Sequence, residues 1–273
     1  MPLLEVIVLG IVQGLTEFLP VSSTAHLALV PKLFGWTDPG LSYDIALHVG
    51  TLAAVLIYFF RDWVQLIGQG FGLRTGSDPE LQRNPGLFWL LVVGTIPAGI
   101  AGLLFQKQAE TNLRGPYVIG SALIAIGLFM WLAEYLGQKK RDLSHLSLLD
   151  SIGIGVAQAV AVIPGVSRSG ITISAGLLRD FERPSAARFS FLMSTPIILG
   201  AAAKDVWDLL RHEGGIAPEM RSAFALGIVI SGITGCLTIA FFLNFLRSRS
   251  LAFFVGYRII LGILVLALAN HFR

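Results

Sequence analysis

One arginine lies in a part of the chain that is otherwise strongly apolar. Arg168 falls within Pro164-Gly-Val-Ser-Arg-Ser-Gly-Ile-Thr172. A charged side chain at membrane depth is costly unless it faces a water-filled cavity or an anion, so it indicates a functional site. Pro164 interrupts a helix and frees backbone N–H groups, and neighbouring hydroxyls add donors from Ser167, Ser169 and Thr172. The segment predicts a site for an oxyanion such as phosphate; the alternative is a kinked helix whose arginine reaches the headgroups.

A second polar segment, Gln13-Gly-Leu-Thr-Glu-Phe-Leu-Pro-Val-Ser-Ser-Thr-Ala-His26, lies close to the start of the chain. Gln13 and Glu17 are four residues apart, which places both side chains on one face of a helix. An ionised carboxylate in a desolvated site requires a cation, a proton or a metal ion. Gln13 could instead simply bond to a neighbouring polar group.

His26 and the two serines before it are further candidates for chemistry. His26 follows the helix break at Pro20, and an imidazole there could serve in acid–base or nucleophilic catalysis or be a satisfied core residue. Ser22 and Ser23 could be nucleophiles, phosphate donors or helix caps, and the sequence does not separate these roles.

Together the two segments provide a carboxylate, an imidazole, several hydroxyls and a guanidinium. This set suits phosphoryl transfer, in which catalysis is mostly charge stabilisation and positioning. Arg168 would bind the phosphate through two parallel hydrogen bonds. Glu17 could hold a divalent cation through hard oxygen ligands, helped by Gln13 and the phosphate itself.

The composition indicates a membrane protein that crosses the bilayer several times. The 273 residues are 54% hydrophobic and 14% charged, with a mean hydropathy of +0.73, which is too apolar for a soluble domain. The single cysteine, Cys236, excludes a disulfide within the chain and a cysteine metal cluster. A net charge of +3 with scattered basic residues gives no indication of nucleic-acid binding. The first five residues are not positively charged, so we expect the first apolar segment to be retained.

Apolar segments follow the same order in the two halves of the chain, 1–137 and 146–273. Each half begins with an interrupted segment, about 3–30 and about 146–178, which predicts a re-entrant helical hairpin. Three segments long enough to cross a bilayer follow in each half. These are Ile45–Phe60, Gly86–Phe105, Tyr117–Leu136, Phe189–Leu209, Ala223–Leu246 and Leu251–Ala269.

Short motifs recur in the same order in both halves. Gly10-Ile-Val-Gln13 matches Gly155-Val-Ala-Gln158, and the serine-rich break after Pro20 matches the one after Pro164 with one insertion. A hairpin returns to its own side, so each half crosses the membrane three times and the two halves have opposite orientations. We predict a single all-α membrane domain, with six transmembrane helices and two re-entrant hairpins in an inverted-topology repeat whose hairpin tips meet.

The distribution of Lys and Arg predicts the orientation of this fold. More of these residues fall on the side that carries Lys139, Lys140 and Arg141 than on the side that carries Lys32 and Lys107. We therefore expect the first side to face the cytoplasm, with both termini and the opening of the site on the outer face.

Two polar residues within the predicted spans have simpler interpretations. His48 is expected to bond a neighbouring helix, although it could reach the site. Arg258 is expected to pair with Glu134 or to extend to the headgroups.

The two polar segments resemble the signatures of the undecaprenyl-diphosphate phosphatase family, the bacitracin-resistance type of bacterial membrane enzyme. The segment from Gln13 to His26 is similar to the family signature Glu/Gln-x-x-x-Glu followed by Leu-Pro-Val-Ser-Ser-Thr-x-His. The segment from Pro164 to Thr172 is similar to the family motif Pro-Gly-x-Ser-Arg-Ser-x-x-Thr. Length and segment order fit along nearly the whole chain. Two departures are Gln13, where many members have Glu, and Ala25, where Gly is usual; the first leaves one carboxylate for a metal site.

The resemblance implies hydrolysis of undecaprenyl diphosphate to undecaprenyl phosphate and inorganic phosphate, with a divalent cation, Mg²⁺ or Ca²⁺, in the bacterial cytoplasmic membrane. The implied catalytic residues are Glu17, Ser23, His26 and Arg168, with Glu17 also a metal ligand. The implied substrate-binding residues are Gln13, Ser22, Thr24, Ser167, Ser169 and Thr172. Whether water, Ser23 or His26 attacks phosphorus is left open, and a homodimer is one possible assembly.

Two other functions are compatible with the same pattern. Inverted repeats with broken helices at the midplane are typical of secondary transporters, so the site could instead carry a lipid phosphate or another anion across the membrane. A structural or partner-binding subunit is the third interpretation. Release of inorganic phosphate distinguishes the enzyme, because a carrier releases none.

Overall fold

A computed structural model describes residues 1–37, 39–111, 113, 115–212 and 218–270 of the chain. In this part of the chain the fold is helical, with one isolated β-bridge between Arg141 and Phe181. The helices are α1 (Leu3–Thr16), α2 (Ser23–Phe34), α3 (Leu41–Tyr58), α4 (Phe60–Gly70), α5 (Pro79–Arg83), α6 (Leu87–Thr111), α7 (Pro116–Leu136), α8 (Leu148–Ala159), α9 (Arg168–Leu178), α10 (Arg183–His212), α11 (Arg221–Leu246) and α12 (Ala252–Ala267).

Within the ranges that the structure describes, four helical segments are long and apolar enough to cross a membrane: Leu87–Phe105, Pro116–Leu136, Arg183–Lys204 and Pro218–Leu246. Helices α3 and α4 make a fifth if the bent pair is counted as one span. The expectation of an all-α, multi-pass membrane protein is therefore confirmed. Helix α12, with 16 residues, is shorter than a usual span.

The first predicted span, Ile45–Phe60, ends within two residues of the end of α3. Helix α3 ends at Tyr58, and the chain bends by 71° into α4. Helix α4 is amphipathic: the exposed Phe60, Val64 and Ile67 share one face, and Asp62, Gln65 and Gln69 lie on the other side. A helix with one apolar and one polar face is suited to the membrane surface, which explains why the chain turns there instead of continuing through the bilayer.

Both predicted interruptions are present, and they have the same local structure. The first separates α1 from α2, and the second separates α8 from α9. The helix after each break begins at a serine cap with a positive φ, 77° at Ser22 and 68° at Ser167. Gly165 in the second break has φ +93°, and an added Cβ would lie 2.8 Å from the carbonyl oxygen of Ile119, so this position requires glycine.

The helices of the two halves pack in a matching pattern. Helix α1 lies against α11, and α8 lies against α6. Each contact is made through glycine: Gly14 of α1 lies against the backbone of α11 at Ser231 and Gly235, and Gly155 of α8 lies against the backbone of α6 at Gly94. Close backbone approach of this kind is typical of helix pairs in membranes.

A fully buried arginine in α12 connects the two interruptions. Arg258 is 0% exposed, and within the described part of the chain its guanidinium donates only to backbone carbonyl oxygens. Its acceptors are Pro20 (3.2 Å), Leu123 (3.3 Å), Ala122 (3.4 Å), Gly165 (2.8 Å) and Val166 (3.0 Å). The expected pairing with Glu134 is wrong, because Glu134 binds Arg183 and Lys139 instead. Arg258 binds carbonyls instead of a carboxylate because the carbonyls in the two breaks lie outside the helices. They have no helical N–H partner, and a buried carbonyl without a donor is costly.

We expect Arg258→Met to lower the free energy of unfolding by about 3 kcal/mol or more, because several buried carbonyls lose their donor. Thermal unfolding of the purified protein in detergent measures this effect. The exposed Arg249→Met is the matched control. A melting temperature equal to that of the control would contradict the proposed role of Arg258.

Candidate functional site

The tips of the two interrupted segments meet at a cavity of about 270 Å³. Its polar lining comes from Thr16, Glu17, Ser22, Ser23, Thr24, His48, Gln158, Ser167 and Arg168. Its apolar lining comes from Ala98, Gly102, Ala161, Val162, Ile197, Ile198 and Ala201. The cavity therefore has a polar part built by the interrupted segments and an apolar part built largely by α6, α10 and the turn after α8.

Glu17 is the centre of the polar part. It is 6% exposed, and its Oε1 forms an ion pair with the Arg168 guanidinium from the other half of the chain. The Ser23 hydroxyl donates to Oε2 over 2.7 Å, and the Gln13 amide donates to the same oxygen over 3.1 Å. His48 Nε2 lies 3.7 Å from Oε2. A carboxylate and a hydroxyl from the first polar segment and a guanidinium from the second thus come together.

The position of Arg168 follows from the second break. It is the first residue of α9, directly after the Ser167 cap, and it also donates to the Ser194 carbonyl over 3.3 Å. A guanidinium next to a helix N-terminus combines a full positive charge with backbone N–H groups, which favours an anion.

The two serine caps are similar in their side chains as well as in their backbones. Ser22 Oγ accepts from the Ala25 N–H over 3.4 Å, and Ser167 Oγ accepts from the Gly170 N–H over 3.2 Å. Serine with a positive φ is strained, and such residues persist only where the surrounding structure enforces them. The sharp turn at each cap brings the residue that follows it to the cavity. These residues are Ser23 and Arg168.

His48 is a site residue that sequence reasoning did not select. Its Nδ1 lies 2.7 Å from the Asp44 carbonyl and must donate to it, because a carbonyl oxygen only accepts. In the neutral ring Nε2 is then the unprotonated nitrogen, and it is the one close to Glu17. In the sequence, His48 is a polar residue within an apolar span. That observation does not show whether its face of the helix points to the site.

His26 has a different environment from the one predicted. Its Nδ1 donates to the Ser22 carbonyl (2.7 Å), and its Nε2 accepts from the Tyr257 hydroxyl (2.6 Å). The two rings are nearly parallel, with centroids 5.8 Å apart. His26 is not among the described residues that line the cavity. A catalytic role for His26 stays a prediction, and its contacts instead hold the start of α2.

Three predicted substrate-binding residues lie beside the cavity without lining it. The Ser169 hydroxyl donates to the Leu19 carbonyl over 3.2 Å, linking the two breaks. Thr172 donates to the Arg168 carbonyl over 2.7 Å. Gln13 is fully buried behind Glu17. Their roles in substrate binding stay predictions, whereas Ser22, Ser23, Thr24, Ser167 and Arg168 all line the cavity.

The chain matches the sequence model of a known family, Bacitracin resistance protein BacA, over residues 6–264. The chain belongs to this family. It is 49% identical to the undecaprenyl-diphosphatase of Moorella thermoacetica, with 98% of each chain covered. It is 47% identical to the undecaprenyl-diphosphatase of Desulforudis audaxviator, with 97% of each covered, and 47% identical to undecaprenyl-diphosphatase 2 of Stutzerimonas stutzeri, with 98% of each covered.

Few donors are available for the divalent cation that the resemblance implies. Among the described residues, no group of three His, Cys, Asp or Glu side chains could hold a metal ion. Glu17 contributes the one carboxylate of the described cavity lining. The buried Oε1 of Gln13 has no partner in the described part of the chain. These two hard oxygen donors fit a cation that takes its other ligands from phosphate and water.

We expect inorganic phosphate to stabilise the wild-type protein by about 1.4 kcal/mol at ten times its Kd, because it binds the folded site only. Thermal unfolding in detergent with and without phosphate measures this stabilisation. Arg168→Ala should abolish it, while Arg249→Ala should retain it. An equal response of Arg168→Ala and wild type would show that Arg168 does not bind the anion.

Proposed function

We propose that this protein is an integral-membrane undecaprenyl-diphosphatase. It hydrolyses undecaprenyl diphosphate to undecaprenyl phosphate and inorganic phosphate, which recycles the lipid carrier for cell-wall synthesis. Its relatives over nearly the whole chain carry that name. The observation that carries the proposal is the contact of Ser23 and Arg168 with one buried carboxylate, Glu17, in a cavity with an apolar side. A diphosphate attached to a hydrocarbon chain requires polar groups for the diphosphate and an apolar surface for the chain.

Ser23 is the proposed nucleophile, because its hydroxyl already donates to Glu17. When the substrate binds, the Arg168 guanidinium moves its hydrogen bonds from Glu17 to the terminal phosphoryl group. Glu17 is then free to take the Ser23 proton. The serine oxygen attacks the terminal phosphorus, the bond to the bridging oxygen breaks, and undecaprenyl phosphate leaves with the bridging oxygen. Arg168 stabilises the charge on the transferred group.

Water completes the reaction by attacking the phosphoserine. Glu17 returns its proton to the Ser23 oxygen as that oxygen leaves, and then accepts a proton from the attacking water. Inorganic phosphate is released, and Glu17 passes the extra proton to solvent. His48 Nε2, 3.7 Å from the same carboxylate oxygen, is suitably placed to accept that proton.

A divalent cation, Mg²⁺ or Ca²⁺, is proposed to bind together with the substrate. Glu17 and the Oε1 of Gln13 would hold it from the protein side. When bound, the cation would neutralise part of the diphosphate charge.

We further propose that the fold is an inverted repeat of residues 1–137 and 146–273, with six transmembrane helices and two re-entrant hairpins. The matching contacts of α1 with α11 and α8 with α6 support this arrangement, as do the two strained serine caps. The distribution of Lys and Arg supports a cavity open to the periplasmic face of the bacterial cytoplasmic membrane. The homodimer stays a prediction.

A transporter of lipid phosphate is the second candidate function. The interrupted helices that meet inside the fold are the feature that favours it. Hydrolysis through a serine requires a nucleophile beside a base, which Ser23 and Glu17 supply, whereas transport alone requires no nucleophile.

We expect the purified protein in detergent to release inorganic phosphate from undecaprenyl diphosphate, and a chelator of divalent cations to lower the rate. A colorimetric phosphate assay measures both effects. Absence of phosphate release at every cation concentration, together with movement of lipid phosphate across reconstituted vesicles, would favour the transporter. Full activity in the chelator would contradict only the cation proposal.

We expect Ser23→Ala and Arg168→Ala each to lower the rate of phosphate release by about 10²-fold or more, because one removes the nucleophile and the other the charge that stabilises the transferred group. The exposed Ser248→Ala is the control for the serine variant. If Ser23→Ala has near-normal turnover, the attacking group is not Ser23.

A further inference from the structure

Gln158 is a buried polar residue that the mechanism above does not use. It lies one residue before the end of α8, is 2% exposed, and lines the cavity. Neither its Nε2 nor its Oε1 has a hydrogen-bond partner among the described residues. Buried side-chain amides are normally bonded, so an amide with both ends unpaired in a cavity indicates a ligand.

The internal repeat explains why this amide is unpaired. In the first half, Gln13 donates to Glu17, four residues later on the same helix face. Gln158 is the matching residue of the second half, and the residue four positions after it is Val162. The second half therefore has a glutamine at the matching position, Gln158, but has Val162 where the first half has the carboxylate of Glu17. The Gln158 amide consequently lacks the partner that Gln13 has.

The neighbours of Gln158 indicate which part of a ligand it meets. It makes no hydrogen bond with Ser23 or Arg168, although all three residues line one cavity. Ala161 and Val162, which follow it in the chain, belong to the apolar lining. A ligand that fills this cavity can therefore meet Gln158 next to its apolar part, apart from the group that Arg168 binds.

We propose that the Gln158 amide donates to the phosphoryl group that stays on the lipid, while Arg168 binds the phosphoryl group that is transferred. This inference rests on the proposed function. The two N–H groups of an amide suit phosphate oxygens, which are acceptors only, and the amide oxygen accepts from a bound water. Gln158 carries no proton in the reaction, so it is a binding residue that recognises both the diphosphate substrate and the lipid monophosphate product.

A binding role predicts a particular kinetic pattern. Contacts made equally in the ground state and the transition state change KM and leave kcat nearly unchanged. We expect Gln158→Leu to raise KM for undecaprenyl diphosphate about tenfold or more, as is usual for a lost hydrogen bond to a charged group. It should weaken inhibition by farnesyl phosphate by a similar factor and leave inhibition by inorganic phosphate unchanged. Gln158→Glu should have the larger effect, because a carboxylate repels phosphate.

Stability provides a readout that is independent of turnover. Because none of the described residues bonds the amide, Gln158→Leu should keep or raise the melting temperature in detergent. It should lose most of the stabilisation that farnesyl phosphate gives to the wild type. Gln138→Leu, at an exposed glutamine, is the control and should behave as wild type in every assay.

Three outcomes separate this inference from the proposed function. A wild-type protein that releases no phosphate overturns both. Normal wild-type turnover with unchanged KM and unchanged farnesyl phosphate inhibition in Gln158→Leu overturns the role of Gln158 alone. If Gln158→Leu does not fold, the nearly isosteric Gln158→Glu decides: a raised KM with weaker farnesyl phosphate inhibition supports the role, and wild-type values overturn it.

Discussion

The structure depends on the bonds between one buried guanidinium and the two places where the helices are interrupted. Backbone that leaves a helix inside a membrane loses its internal hydrogen bonds, and no water is present in the hydrocarbon to replace them. Arg258 supplies the missing donors to Pro20 in the first break and to Gly165 and Val166 in the second. One side chain from α12 thus fixes the two breaks relative to each other.

The reactive groups depend on this arrangement for their proximity. Glu17 and Arg168 are 151 residues apart, and they meet only because the two breaks meet. Each strained serine cap then places a functional residue at the cavity: Ser23 follows one cap and Arg168 follows the other. The two breaks therefore bring a hydroxyl from one half of the chain and a guanidinium from the other half to the same carboxylate, Glu17. The two caps have the same backbone conformation, whereas the residues that follow them differ in chemistry.

Much of this arrangement could be predicted from the sequence. Pro164 and Pro20 correctly indicated the two interruptions, and an arginine among hydroxyls correctly indicated a polar cavity. His48 could not be assigned, because the hydropathy of α3 does not show which face meets Glu17. Arg258 was given the wrong partner, because its acceptors are backbone carbonyls, which have no sequence signature. His26 belongs to the recognised motif, yet its ring contacts Tyr257, 231 residues away. A sequence motif identifies the segment to which His26 belongs, but it does not show which way the His26 side chain points.

In the proposed mechanism, the Ser23 hydroxyl that is bonded to Glu17 attacks phosphorus. Rapid acid quenching of the enzyme with undecaprenyl diphosphate, labelled with ³²P in the terminal phosphoryl group, tests this step. During the first turnover we expect label on the peptide that contains Ser23, appearing before free phosphate and absent from Ser23→Ala. Release of labelled phosphate with no labelled protein at any time in the first turnover would contradict the claim.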